Sequence, residues 1–199
     1  MVPKIGIIIC SQRTPRAGLQ IGKAIFSDLE GSDSVEKNTV TLSLIDLAEW
    51  NLPMYNEPVM PSQIQSSGQQ YVHEQTRRWS EEIASCAGFV FVTPQYNWGY
   101  PASVKNAIDY LYHEWEGKPA MIVSYGGHGG GKAAGQLKQV LCGVRMRPVE
   151  RMVGLTFPSK DVLMGAAEGC ELDLSFWERE RTEVVGVFGE MVNFLFDEA

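Results

Sequence analysis

The chain has 199 residues, 44% hydrophobic and 21% charged, a composition that supports a substantial core and excludes a disordered chain. Its 24 acidic and 17 basic residues leave a formal charge of −7, a field that repels polyanions, and no long basic and aromatic strip offers a track for nucleic acid. No segment reaches membrane-spanning length and the amino end carries no secretory pattern, so the expectation is a soluble cytoplasmic protein with no membrane or nucleic-acid partner.

Residues 5–9 form a continuous apolar run with β-branched members, the pattern of a parallel strand buried on both faces. Pro15 is expected to open a helix, which Leu19, Gly22, Lys23 and Phe26 continue. Residues 39–46 alternate, with Val40, Leu42 and Leu44 between Thr41, Ser43 and Ile45, which suits an edge strand. The stretch 50–61, rich in proline, methionine and tyrosine, reads as an ordered loop. From about residue 65 a helical spacing through Val72, Thr76, Trp79 and Ile83 delivers the chain to a third strand at 88–92.

A shorter helix follows over 102–112, and Gly117 and Pro119 mark its far boundary. Residues 120–124 read as a fourth buried strand, then a glycine-rich loop leads into a helix through Leu137, Val140 and Leu141. A fifth strand falls within 146–155, where Pro148 argues against a regular central element. The last helix, from 176 or 181 to 196, offers Val184, Val185, Phe188, Val192 and Leu195 to the sheet or to a second subunit, with the core favoured. Strands alternating with helices predict a single α/β domain over 1–199: an open parallel five-stranded sheet with helices on both faces.

Three loops carry the chemistry. Ser11, Arg13 and Arg16 bring a hydroxyl and two guanidinium groups to a helix start, the donor set that a phosphate needs; the arginines also suit an exposed solubilising role. Pro94, Gln95, Tyr96, Asn97 and Trp98 follow the third strand, where a planar group can lie against backbone, and either aromatic could instead be buried in its own fold. Ser124, Tyr125, Gly126 and Gly127 follow the fourth, where small residues permit close approach. The first loop lacks a GxGxxG turn, which favours a mononucleotide over a dinucleotide held in the Rossmann manner.

Cys10, Cys86, Cys142 and Cys170 form no CxxC pair and no cluster with histidine, so no metal is expected and a reducing compartment fits. Cys10 and Cys86 read as buried packing groups rather than nucleophiles. No arrangement around His128 specifies a general base, and Lys105 reads as structural.

In order and context these loops resemble those of the NADPH-dependent FMN reductase family, which includes quinone reductases and azoreductases; the resemblance runs from about residue 5 to 143. Cys10 stands where that family usually has glycine, and Gln95 where glutamate is common. The resemblance implies a flavodoxin-like strand order 2-1-3-4-5, bound FMN, phosphate contacts from the first loop and ring contacts from the other two. It also implies ping-pong transfer from NADPH or NADH to quinones or other planar acceptors, with the flavin rather than a protein side chain carrying the hydride. A homodimer is implied, with residues 50–55 or 110–115 covering the opposing site. The different class of function is a flavin-binding redox switch that regulates a protein partner.

Overall fold

A computed structural model describes residues 1–37, 39–64 and 70–196. Strand β1 (Lys4–Ile9) leads through the first loop into helix α1 (Gly18–Glu30), a short α2 (Asp33–Glu36), then β2 (Thr41–Asp46) and a single turn, α3 (Leu47–Trp50). Helix α4 (Glu74–Ser85), β3 (Gly88–Pro94), α5 (Ala102–Asp109), β4 (Pro119–Gly126) and α6 (Gly131–Gly143) follow. The chain ends with β5 (Arg147–Pro148), β6 (Val153–Thr156), α7 (Lys160–Glu168) and α8 (Glu178–Asn193).

All the strand pairings are parallel, and the order is β2-β1-β3-β4-β5, with β6 also on β4. The expected fifth strand therefore exists as two pieces in one sheet position. Arg147 and Pro148 lie opposite Pro119 and Ala120, and Val153 opposite Val123, so residues 149–152 bulge past Met121 and Ile122. Arg147 and Val149 donate their N–H groups to Lys118 O and Ala120 O at 2.9 and 2.8 Å, so the Pro148 nitrogen falls on the open edge where no donor is needed, and pairing resumes at Val153.

Two apolar layers flank the sheet. Ile5, Ile7, Val90, Val92, Met121 and Val123 face α1 and α8, whose Val184 and Phe188 are wholly buried among them. Ile8, Phe89, Phe91 and Ile122 face the other way, against Trp79, Trp115 and Leu137 of α4, the α5 to β4 connection and α6. The last helix thus spends its apolar face on the core.

Several boundaries differ from the sequence expectation, each for a long-range reason. Helix α1 begins at Gly18 rather than at Pro15, because residues 11–16 are held in a loop by other elements. Val72 lies ahead of α4: the buried Glu57 carboxylate accepts from the N–H groups of Val72 and His73 at 2.9 and 3.0 Å and fixes where that helix starts. The proposed start near 65 lies outside the described residues. Helix α5 stops at Asp109, and Tyr110 and Trp115 turn into the core. Those two side chains are therefore unavailable to cover an opposing site.

Candidate cofactor site

The strand order reverses its direction of growth between β1 and β3, and the loops after β1, β3 and β4 meet at the carboxyl edge beside that point. Between them opens a cleft of about 290 Å³. Arg13, Arg16 and Ala17 line one end, Pro94, Gln95 and Tyr96 the middle, and Tyr125 and Gly126 the floor. Phe157, Leu163, Ala166 and Ala167 form a further wall that no sequence pattern marked.

At the first end, Ser11 is 1% exposed and its Oγ finds no hydrogen-bond partner among the described residues. No side chain caps α1, whose N-cap position is Ala17. A buried hydroxyl without a partner beside uncapped helix N–H groups is an arrangement short of one acceptor-rich ligand. Gly18 makes the approach possible: a Cβ there would stand 2.1 Å from Ser11 Oγ and 2.5 Å from Tyr125 Oη. Burial pushes the Tyr125 phenol well above its usual range, with the neighbouring Ser11 hydroxyl, short of a full hydrogen bond, opposing the shift, so the phenol stays protonated and able to donate.

The two arginines divide the work. Arg13 is exposed and donates one bond, at 2.6 Å, to the carbonyl of Ala167. Arg16 is committed elsewhere: its fork grips the buried Asp46 carboxylate at the end of β2 and also donates to Ser11 O at 2.7 Å. That hydrogen bond to Asp46 raises the Arg16 pKa. Arg16 lines the cleft, but as the residue that ties the loop to the sheet rather than as a free cation. Gln12 Nε2 adds a second tie, to Leu47 O.

After β3, Tyr96 and Gly99 exchange both backbone hydrogen bonds, at 2.9 and 3.0 Å, around Asn97 and Trp98. Both central residues have positive φ, 47° and 69°, which closes a hairpin turn of the primed kind. Trp98 is 70% exposed, and a tryptophan in that backbone region is strained. Gln95 points its Oε1 at the N–H groups of Lys132 and Ala133 and caps α6 from another loop.

Near the end of β4, the buried Ser124 Oγ donates to Gly129 O at 2.6 Å and fixes the glycine loop that follows the strand. Gly126 has ordinary clearance around it, whereas Gly130, with φ of 76°, would bring a Cβ within 2.9 Å of Ser124 Cβ and 3.0 Å of Tyr125 backbone. The glycines that the backbone itself demands are thus Gly129 and Gly130, one turn beyond the pair read from the sequence. Gly127 and His128 are exposed. Lys105 pairs with Asp109 on the same helix, and Asn106 braces the chain at Pro53 and Tyr55. The Cys10 thiol sits in the core with its pKa pushed up by burial.

The model of the NADPH-dependent FMN reductase family matches residues 3–157. The chain belongs to that family. This makes it an NAD(P)H-dependent oxidoreductase of the FMN reductase class. It is 45% identical to the NAD(P)H-dependent FMN reductase LOT6 of Saccharomyces cerevisiae over 148 residues, 73% of this chain and 77% of that one. A quinone reductase of Pseudomonas putida is 28% identical over 128 residues, 62% of this chain and 60% of that relative. Among solved structures, the flavoenzyme NAD(P)H:(acceptor) oxidoreductase FerB of Paracoccus denitrificans superposes with a TM-score of 0.68 at 22% identity, covering 96% of this chain and 98% of that one. This last likeness concerns the FMN reductase fold alone. Among the described residues no helix is long and apolar enough to cross a membrane.

Proposed function

We propose that this chain holds FMN in the cleft and passes reducing equivalents from NADPH or NADH to quinones or related planar acceptors in two separate half-reactions. The observation that carries the reading is the Ser11 hydroxyl, buried without a hydrogen-bond partner among the described residues and next to the uncapped start of α1, in the same stretch whose Arg13, Arg16 and Ala17 line the cleft. Ser11, the α1 N–H groups and Arg13 take the phosphate, and Arg16 keeps their loop in register through Asp46. The turn at Tyr96–Gly99 offers backbone to one edge of the ring, and Gly126 and Gly127 leave its approach unobstructed. FMN, when bound, supplies the ring that accepts hydride in one half-reaction and gives up reducing equivalents in the next. No protein acid is required, since solvent reaches the cleft at Tyr96, which lines it and is partly exposed.

Quinone as acceptor is supported by the Pseudomonas relative, and the choice between the nicotinamides by nothing narrower than family. We place the molecule in the cytoplasm as a homodimer of single-domain subunits, with Met54, Val59 and Met60 exposed in the loop that follows α3 and free to reach a second copy. Purification without added cofactor, identification of any released flavin by mass, and anaerobic reduction by NADPH followed by reoxidation with a simple quinone test the reading. Bound FMN that cycles between the two reagents is the expected result. Folded protein that neither retains nor takes up FMN overturns it.

A further inference from the structure

We infer that the segment from Leu163 to Leu172 confines the cleft to a mononucleotide by closing the way out past the phosphate, so that a flavin dinucleotide is refused. The inference rests on the reading of the cleft as an FMN site. Helix α7 lies between β6 and α8, beyond residue 157 where the family match ends, so the family pattern assigns it no role. It spans the cleft from one loop to the other. Leu163 stands over the glycine loop, where a Cβ on Gly127 would lie 3.6 Å from Leu163 Cδ2. At the other end the α7 terminus is fastened to the phosphate loop: Arg13 donates to Ala167 O at 2.6 Å, and Gln20 of α1 both donates to Cys170 O at 3.0 Å and accepts from Leu172 N at 2.9 Å.

The approach at Gly169 is close. Gly169 ends α7 in the left-handed region, with φ of 91°, and a Cβ on it would stand 2.9 Å from Pro15 Cβ. In a dinucleotide a second phosphate is joined through an anhydride oxygen to the first, so its adenosine half must leave past the outer rim of the phosphate loop. Residues 12–15 are the exposed part of that loop, and Ala167 and Gly169 stand against Arg13 and Pro15 of it. Charge acts in the same direction. Glu168, Glu171 and Asp173 are exposed along the segment, and no lysine or arginine lies between Lys160 and Arg179 to compensate a second phosphate.

The test compares dissociation constants for FMN and for FAD, by flavin fluorescence, in apoprotein of the wild type, Gln20→Ala and Gly169→Ala. Gln20→Ala removes both hydrogen bonds without touching the cleft lining, and Gly169→Ala separates the segment from Pro15 by a different route. Wild type should bind FMN far more tightly than FAD, and each variant should narrow that preference by about tenfold, the weight of two hydrogen bonds, mainly through tighter FAD. Thermal melting confirms that the variants are folded; if Gly169→Ala is not, Gln20→Ala decides alone. Equal binding of both flavins by wild type, or an unchanged ratio in a folded variant, overturns the exclusion while leaving the FMN site standing. Failure of wild type to bind either flavin removes the site itself and the inference with it.

Discussion

Ser11 and Arg16 share one loop and behave in opposite ways: the serine hydroxyl finds no partner among the described residues, and the guanidinium is held by Asp46 and Ser11 O. Removing an unsatisfied buried hydroxyl costs the empty protein no hydrogen bond, whereas a bond to a charged phosphate contributes about 1.5–3 kcal/mol. Ser11→Ala should therefore leave the melting temperature of the apoprotein unchanged or slightly raised while weakening FMN binding by at least about tenfold, read by calorimetry and flavin titration. A matching loss of stability in the apoprotein would mean that the hydroxyl has a structural partner after all. The sequence pattern marked Ser11 and Arg13 because a serine followed two positions on by an arginine is local information. That Arg16 is bound by Asp46, and that the Tyr125 phenol converges with Ser11 over Gly18, depends on how strands align, and no local pattern carries it.

At the scale of elements, the turn after β3 shows a cost retained for a use. A side chain held in the left-handed region costs of order 1–3 kcal/mol, and Trp98, mostly exposed, recovers little of that by packing. Glycine relieves the strain and loses about 0.5–1 kcal/mol in chain entropy, so the relief matches or exceeds the loss. Trp98→Gly is expected to keep or raise the melting temperature while lowering turnover with planar acceptors; a drop in stability at full turnover would assign the indole to the fold. The segment was legible as a loop between strand and helix, because an apolar run breaks at Pro94. Its backbone angles were not, since Asn favours such a conformation and Trp does not. The start of α4 and the capping of α6 were hidden for a common reason: Glu57 and Gln95 serve helices to which they do not belong.

Over the whole molecule, the alternation of strand and helix was readable because every central strand is buried on both faces and so appears as an unbroken apolar run. The order of the strands came with the family resemblance, and the model and the FerB superposition agree with it. The wall supplied by α7 was not readable, because its Leu163, Ala166 and Ala167 look like any helical core stripe until the chain is folded back upon the first loop. The distribution of thiols has a further effect at this scale. Quinones, the acceptors proposed, are also electrophiles that alkylate thiolates. Cys10 adjoins Ser11 in sequence, yet it is buried and held protonated, as is Cys86, while Cys142 and Cys170 are exposed. Brief treatment of the native protein with N-ethylmaleimide should add mass at Cys142 and Cys170 alone, with Cys10 and Cys86 labelled only after unfolding; rapid native labelling of Cys10 would contradict the buried setting. Masked in this way, the thiol that adjoins the phosphate loop in sequence survives repeated exposure to reactive acceptors instead of becoming a site of self-inactivation.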